Sequence, residues 1–310
     1  MSHDPAEFQL ASEPAATVEE GPVGVVGSGA WLAVSYGGGD NSWAMLLGFA
    51  ERGIKPDFIA MADTKGEKPN TYSHLREIAM PWVRSTWGMD IEIVKKLYQG
   101  EWEGLEGQCL RHNQMPSLAY GQRSCSQKYK HEMLERALAA VMAANDLTHV
   151  TKAIGYHAME QYRVNGKPLT KEIKAGRHEN YWYPLVEWNW RPEECIAAGK
   201  RHGLPMPGKS ACFFCPAMRP SEVFALRDNQ PELLARALEI ERRAQTTNTT
   251  PRGLGGAGQL WSNWLRMDKE QLRLLPDISP VDIPCGCFDG DDACSSANAQ
   301  GQPPLAAKGE

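Results

Sequence analysis

Two groups of residues in this sequence have the types and spacing to do chemistry. The first is Gly37-Gly38-Gly39, which closes the apolar run Trp31–Tyr36 and leads into Asp40-Asn41-Ser42. Three successive glycines let a backbone turn tightly and approach a ligand with no Cβ in the way. A helix starting behind them offers N–H groups and the positive end of its dipole, which together favour phosphate, and Ser42 adds a hydroxyl. The run is neither GxxxxGK[ST] nor GxGxxG, so the usual triphosphatase and dinucleotide loops do not fit. A purely structural strand-to-helix turn would use the same glycines.

The second group is a set of cysteines. Lys209-Ser-Ala-Cys212-Phe-Phe-Cys215-Pro216 sets two sulfurs within reach of one metal, with the proline that often follows an iron–sulfur ligand. Cys195 lies on a predicted helix just upstream, Cys125 lies in the basic stretch Arg123–Lys130, and Cys285 and Cys287 form another pair near the C-terminus. Cys125, Cys212 and Cys215 with one of Cys195 or Cys287 would serve a [4Fe–4S] cluster. The same spacing serves a structural Zn²⁺, and a redox dithiol or plain buried thiols stay open. Cys109 and Cys294 read as bystanders.

Elements must position these residues. Trp31–Tyr36, Asp57–Ala62, Asp90–Val94 and Val150–Tyr156 read as strands. Between them, Asn41–Arg52 carries Trp43, Leu46, Leu47 and Ala50 at helical spacing and stops at Gly53. Pro69 opens a helix that Pro81 should kink or split, and Lys128–Ala144 is strongly helical. Strand–helix–strand alternation predicts an α/β fold, a parallel sheet covered by helices on both faces. A helical, cysteine-bearing C-terminal region follows. The expected divisions are a mobile arm over 1–24, a nucleotide-binding α/β domain over 25–190, the CxxC region over 191–288 and a disordered tail over 289–310. Thr246–Gln259 reads as a linker or flexible loop, and Tyr181–Trp190 as an aromatic wall between the sheet domain and the cysteine region.

Composition excludes several classes. Hydrophobic residues make up 42% and charged residues 23% of 310, an ordinary soluble balance. No apolar run is long enough to span a membrane and no signal peptide is visible. Eight cysteines without an export signal read as reduced thiols or metal ligands in a cytoplasm. The net charge of -5 does not indicate nucleic-acid binding, although a local basic patch stays open.

The glycine run resembles the SGGxDS loop of the adenine-nucleotide α-hydrolase (PP-loop ATP pyrophosphatase) superfamily. More narrowly, SYGGGDNSWAMLL followed by Ala62-Asp63-Thr64 resembles the phosphoadenosine phosphosulfate (PAPS) reductase family. The resemblance implies that Ser35, Gly37, Gly38, Gly39, Asn41 and Ser42 grip phosphate or sulfate, and that Asp63 and Thr64 lie near the adenosine. Asn41 stands where the family's Asp is usual and Gly37 where its first Ser is. Asn41 can orient a phosphate or a water but cannot serve a Mg²⁺ ion as an anionic ligand. Gly155-Tyr-His-Ala-Met-Glu-Gln-Tyr-Arg163 is similar to the family's G-x-R-x-x-E-S-x-R segment. Glu160 and Arg163 match and His157 replaces the first Arg, which adds these three to the nucleotide-binding set. Arg123–Lys130 resembles the Cys-plus-basic segment of sulfonucleotide reductases.

The resemblance spans residues 28–288 and implies two chemistries. A sulfonucleotide reductase attacks the sulfur of APS or PAPS with a cysteine thiolate, with a thiol or electron-donor protein as partner. An ATP pyrophosphatase activates an acceptor through the α-phosphate of ATP, for thiolation or amidation; a nucleic acid stays open as that acceptor. Pro284-Cys285-Gly286-Cys287 partly matches the reductases' Glu-Cys-Gly, so Cys285, Cys287 and Asn41 are the catalytic candidates. A nucleotide-binding, Fe–S or zinc-stabilised regulatory module is the non-enzymatic reading. The oligomeric state is left open.

Overall fold

The structure, a computed structural model, describes residues 31–165, 170–174, 177–247, 252–257 and 259–267. The expected arm and tail, and Cys285, Cys287 and Cys294, lie outside the described residues. The apolar runs become strands: β1 (Leu32–Ser35), β2 (Phe58–Asp63), β3 (Glu92–Lys95), β4 (His149–Ile154), β5 (Thr170–Lys174) and β6 (Arg177–Trp182). The principal helices are α1 (Asp40–Glu51), α2 (Pro69–His74 continuing through Leu75–Ala79 and Met80–Trp87), α3 (Gly104–His112) and α4 (Ser124–Ser126 continuing through Gln127–His131 and Glu132–Ala144). After the sheet come α5 (Pro192–Arg201), α6 (Pro220–Asn229) and α7 (Pro231–Gln245).

Pro81 does not split α2 as its sequence suggests. A π turn over Leu75–Ala79 precedes Pro81, which sits at the first positions of Met80–Trp87. The wider turn accommodates a residue without an N–H, and the helix runs on.

The sheet order is β3-β2-β1-β4-β6-β5, with β5 alone antiparallel. Val34 at its centre pairs with Ile59 of β2 on one side and Ala153 of β4 on the other. Leu32, Val34, Ile59 and Met61 face α1, α2 and α5. Ala33, Ala60, Ala62, Val150 and Ile154 face α4 through Met133, Leu134, Leu138 and Met142. The chain is an α/β protein with its sheet covered on both faces.

β6 has no strand signal in the sequence because its face toward α4 is polar. Glu179, 2% exposed, accepts from Lys152 Nζ at 3.3 Å and from Tyr181 Oη at 3.0 Å, while Lys152 also pairs with Glu135. Burial pushes the Glu179 carboxyl up, and Lys152 pulls it down less strongly. A buried charge set of this kind is tolerable only when mutually paired.

The aromatic wall forms elsewhere than expected. Trp182 stacks on Phe49 of α1 at 5.3 Å, Trp188 and Trp190 meet edge to face at 5.3 Å, and the Arg52 guanidinium lies 3.9 Å above Trp188. A Cβ on Gly48 would stand 2.4 Å from Trp188, so the bare helix surface there is what admits the rings. The wall therefore belongs to the sheet's own core with α1 and α5.

A second apolar core joins α3, Met115–Ala119 and Tyr129 to Ala211–Met218, α6, α7, Leu254 and Trp261. Packing thus groups residues 104–129 with the C-terminal region and α5 with the sheet, so no packing boundary falls at residue 190. Within the stretch expected to be a linker, Arg252–Gly253 and Gly256–Ala257 form a hairpin with Leu254 fully buried. Glu241 of α7 holds it: its carboxylate, 1% exposed, accepts the backbone N–H groups of Leu254 (2.9 Å), Trp261 (2.9 Å) and Ser262 (3.0 Å). Glu241→Gln turns an NH₂ toward those donors and should cost about 2–4 kcal/mol of stability. A urea midpoint unchanged from the parent would contradict this anchoring role. Among the described residues no helix is long and apolar enough to cross a membrane.

Candidate functional site

Strand order reverses at β1: the chain fills β2 and β3 on one side, then crosses to β4 on the other. Open α/β sheets bind ligands in the crevice that such a reversal leaves at the carboxyl ends of the strands. The glycine run leaves β1 and Gly155 leaves β4 at that crevice.

The loop geometry follows from its residue types. Gly38 has φ +72°, a left-handed conformation, and a Cβ there would meet Met61 and Thr71 at 3.0 Å. Gly39 is extended and precedes the first turn of α1. Ser42 donates from Oγ to the Gly39 carbonyl at 2.9 Å, so its hydroxyl shapes the loop. A Cβ on Gly155 would lie 3.1 Å from Ser42 N and Cα, so β4 exits in direct contact with the start of α1. Ser35 is buried in the sheet, between Ala60 and Ile154 in register. The Tyr36 and Thr71 hydroxyls beside the loop are buried without a hydrogen-bond partner. Burial, then the charge of Asp40, pushes the Tyr36 phenol far up, which keeps it a protonated donor. Unpaired buried donors at a helix start fit an anionic group such as a phosphate.

Asn41 Nδ2 donates to Glu160 Oε2 at 3.0 Å, which joins the two ligand-side loops across the crevice. Arg163 donates to Glu160 Oε1 at 2.7 Å and to the Tyr156 hydroxyl at 3.2 Å, and its guanidinium stacks 3.9 Å over the Tyr156 ring. His157 Nε2 is 3.5 Å from Glu160 Oε2, and the His157 Nδ1 is buried without a partner. The site thus turns on one carboxylate that receives Asn41, His157 and Arg163. An Asp at 41 would place two carboxylates in contact. Asn41→Asp should destabilise the chain by about 1–3 kcal/mol at neutral pH. The crowded pair would hold a proton that the unfolded chain releases, so the penalty grows as pH rises and fades as pH falls and the pair protonates. Parallel melting curves near neutrality and in mild acid check this; a penalty independent of pH would contradict it.

On the β2 side, Asp63 Oδ1 accepts from Tyr72 Oη and from Lys65 N, both at 2.7 Å. Thr64 Oγ1 lies 3.2 Å from Cys212 Sγ. The end of β2 therefore touches the cysteine region directly. Cys125, Cys212 and Cys215 line one cavity, of about 30 Å³, with Thr64, Arg123 and Lys130. Lys130 forms a buried ion pair with Glu67 at 3.0 Å. Chain turns bring the thiols there: Cys212 bridges to Glu67 as an extended residue, and Cys215 N donates to the Cys212 carbonyl at 3.0 Å.

The chemistry of these donors fits a thiolate-held metal centre, because three thiols share one wall set and two cations border it. Even so, among the described residues no three or more Cys, His, Asp or Glu side chains stand in ion-holding geometry. Cys195 is placed apart from the three: it sits in the sheet core beside Trp190 and Ala198, and burial, with Asp40 nearby, pushes its thiol up to about 12. Cys109 is no bystander in space. It shares the core of Cys212 and Cys215, and burial, then the charge of Cys125, pushes it up to about 12.

Sequence reading gave no role to Pro205–Ser210, which covers the glycine loop. Gly208 N donates to Asp40 Oδ1 at 2.8 Å, Asp40 N to the Gly208 carbonyl at 3.2 Å, and Asn70 Nδ2 to the Pro207 carbonyl at 2.8 Å. A Cβ on Gly39 would stand 2.9 Å from Ser210 Oγ and 3.2 Å from Ser210 N. The signal was present as Gly208-Lys209-Ser210, small and cationic residues just before the CxxC.

The chain matches no family model and no curated protein. Among solved structures it is similar to the U34-tRNA thiolase NcsA from Methanococcus maripaludis with its [4Fe-4S] cluster. That pair is 16% identical, covers 74% of this chain and 78% of the other, and has a TM-score of 0.37. A likeness so distant assigns neither substrate nor residue roles.

Proposed function

We propose that this chain is an adenine-nucleotide-binding enzyme of the PAPS reductase type, performing sulfonucleotide reduction or a related sulfur transfer beside a cysteine-held cluster. The observation that carries it is the contact of Thr64 with Cys212: one strand end serves both a glycine-loop crevice and a three-cysteine cavity. In this reading Gly37–Ser42 and the N-terminus of α1 hold the phosphate or sulfate, with Asp63 and Thr64 toward the adenosine. Glu160 fixes Asn41, His157 and Arg163 as one unit, and Arg163 positions that unit through its bidentate-capable fork. Cys125, Cys212 and Cys215 would hold a [4Fe–4S] cluster, or Zn²⁺; such a centre, when bound, supplies electrostatic or redox support to the adjoining site. Cys285 or Cys287 is the candidate thiolate for attack on sulfur, with an external thiol or electron-donor protein returning the electrons.

The second reading is ATP pyrophosphatase chemistry on an acceptor, which the same crevice would serve. Purified protein is incubated with ATP, APS and PAPS, with and without a dithiol. Sulfite release that depends on APS or PAPS and the dithiol supports the reductase reading. Pyrophosphate release from ATP supports the second, and binding without either product places the chain among nucleotide-binding regulatory modules.

A further inference from the structure

At the carboxyl ends of β2 and β3, four cations lie over three aromatic rings. Lys65 Nζ and Lys95 Nζ stand 5.1 and 4.1 Å from the Trp102 ring, Lys96 Nζ stands 4.6 Å from Tyr129, and the Arg111 guanidinium stands 3.9 Å from Tyr98. Each such pair adds a favourable charge–quadrupole contact. Arg111 is held by Glu103 at 2.7 Å. Lys65 Nζ donates to the Trp102 carbonyl at 3.0 Å, and among the described residues Lys95, Lys96 and Lys128 form no ion pair. Burial, with Lys128 and Arg136 nearby and Glu132 as the opposing charge, pushes the Lys96 ammonium down from its ordinary value.

Of these, Lys96 and Arg111 border a cavity of about 300 Å³ with Tyr98, Glu103, Gln108, His112 and Tyr129. That volume is at the lower end for small-ligand pockets. Tyr98 is 44% exposed and Leu97 57%, so the rim presents ring and apolar surface to solvent. The cavity is distinct from the cysteine one, and the start of α3 stands between them: Leu105 N donates to the Thr64 carbonyl at 2.9 Å. Excess positive charge draws phosphate, and aromatic faces stack bases irrespective of sequence. The one carboxylate in the cavity lining, Glu103, is paired with Arg111, and Glu132 faces Lys96 from α4.

We infer that this surface is a second binding site, separate from the glycine loop, for a nucleotide unit: a phosphate held by Lys96 and Arg111 and a base against Tyr98. The unit comes either as a free mononucleotide or as part of a single strand of nucleic acid.

The test uses the full chain with an end-labelled single strand of about twelve nucleotides and, separately, unlabelled UMP, from about 50 to 200 mM salt. Fluorescence anisotropy should show strand binding that weakens with salt. Lys96→Ala should weaken it several-fold and reduce the salt slope by about one. Tyr98→Ala should weaken it with the slope unchanged, because stacking carries no counterion release. Tyr98 is exposed and Lys96 half-buried, and melting curves of the variants check the fold. Strand binding without UMP binding assigns the nucleic acid, and UMP binding lost in the variants assigns the free nucleotide. Absence of both at low salt, or equal binding by parent and variants, overturns the site. Affinity for ATP, APS or PAPS at the glycine loop is measured in the same variants and should stay at the parent value, which keeps the two sites' outcomes apart.

Discussion

Gly39→Val should abolish nucleotide binding at the glycine loop while leaving the sheet folded. Gly39 is extended, at φ -111° and ψ 175°, so its backbone suits any residue. The obstacle is steric: a Cβ would stand 2.9 Å from Ser210 Oγ, and the valine methyls would push the loop away from Gly208 and Ser210. Two or more charge-assisted hydrogen bonds to phosphate would be lost, each about 1.5–3 kcal/mol, which is roughly a hundredfold or more in affinity. Gly38→Val is a poorer probe. Gly38 needs φ +72°, and a side chain there strains the backbone and presses on Met61 and Thr71, so folding would suffer together with binding. Gly37→Ala serves as the mild control, since its Cβ would meet only Ser42 Oγ at 3.8 Å. Calorimetry showing ATP, APS and PAPS binding to Gly39→Val as tightly as to the parent would sink the loop assignment.

Cys212→Ser should empty the cysteine cavity of metal. If Cys125, Cys212 and Cys215 act as one ligand set, removing one thiolate releases the ion or cluster and loosens Ala211–Met218 against α3, because ligation and folding are coupled. Iron predicts a broad absorption near about 400 nm that dithionite bleaches, and zinc predicts a colourless protein with bound metal. Cys109, the control that sequence spacing favours, packs in the same core and would perturb it. Cys195→Ser is the better control: it alters the sheet core and should leave metal content intact. Full metal content in Cys212→Ser, equal loss in Cys195→Ser, or a metal-free parent after anaerobic purification would each refute the shared site.

What could be read in advance depended on whether a residue's own chemistry or a distant partner decided its place. Gly37–Gly39 were legible because only glycine supplies the turn at Gly38, and the strands β1, β2 and β4 were legible as unbroken apolar runs. β6 was not, because its polar side chains are buried only through Lys152 and Glu135 on other elements. Pro205–Ser210 was not, because its partner Asp40 lies 168 residues away. The cysteines were legible as a set but not in membership. CxxC fixes Cys212 near Cys215, while only the packing of α3 and α4 brings Cys125 in and leaves Cys195 out. Asn41, read as a weakened Asp, proves to be the amide that a neighbouring carboxylate requires.

The central pairing of β1 with β4 also sets a timetable for the ribosome. Val34 must wait for Ala153, 119 residues later in synthesis, before its second edge is covered. At ordinary elongation rates that delay is about 6–24 s, during which the β1–β2–β3 half presents a bare apolar strand edge. The crevice that joins the glycine loop to Glu160 closes only at the end of that interval. Nascent chains of this protein therefore pass through a long window in which chaperone capture competes with aggregation, and slow non-local pairing, more than final stability, should limit the yield of folded protein.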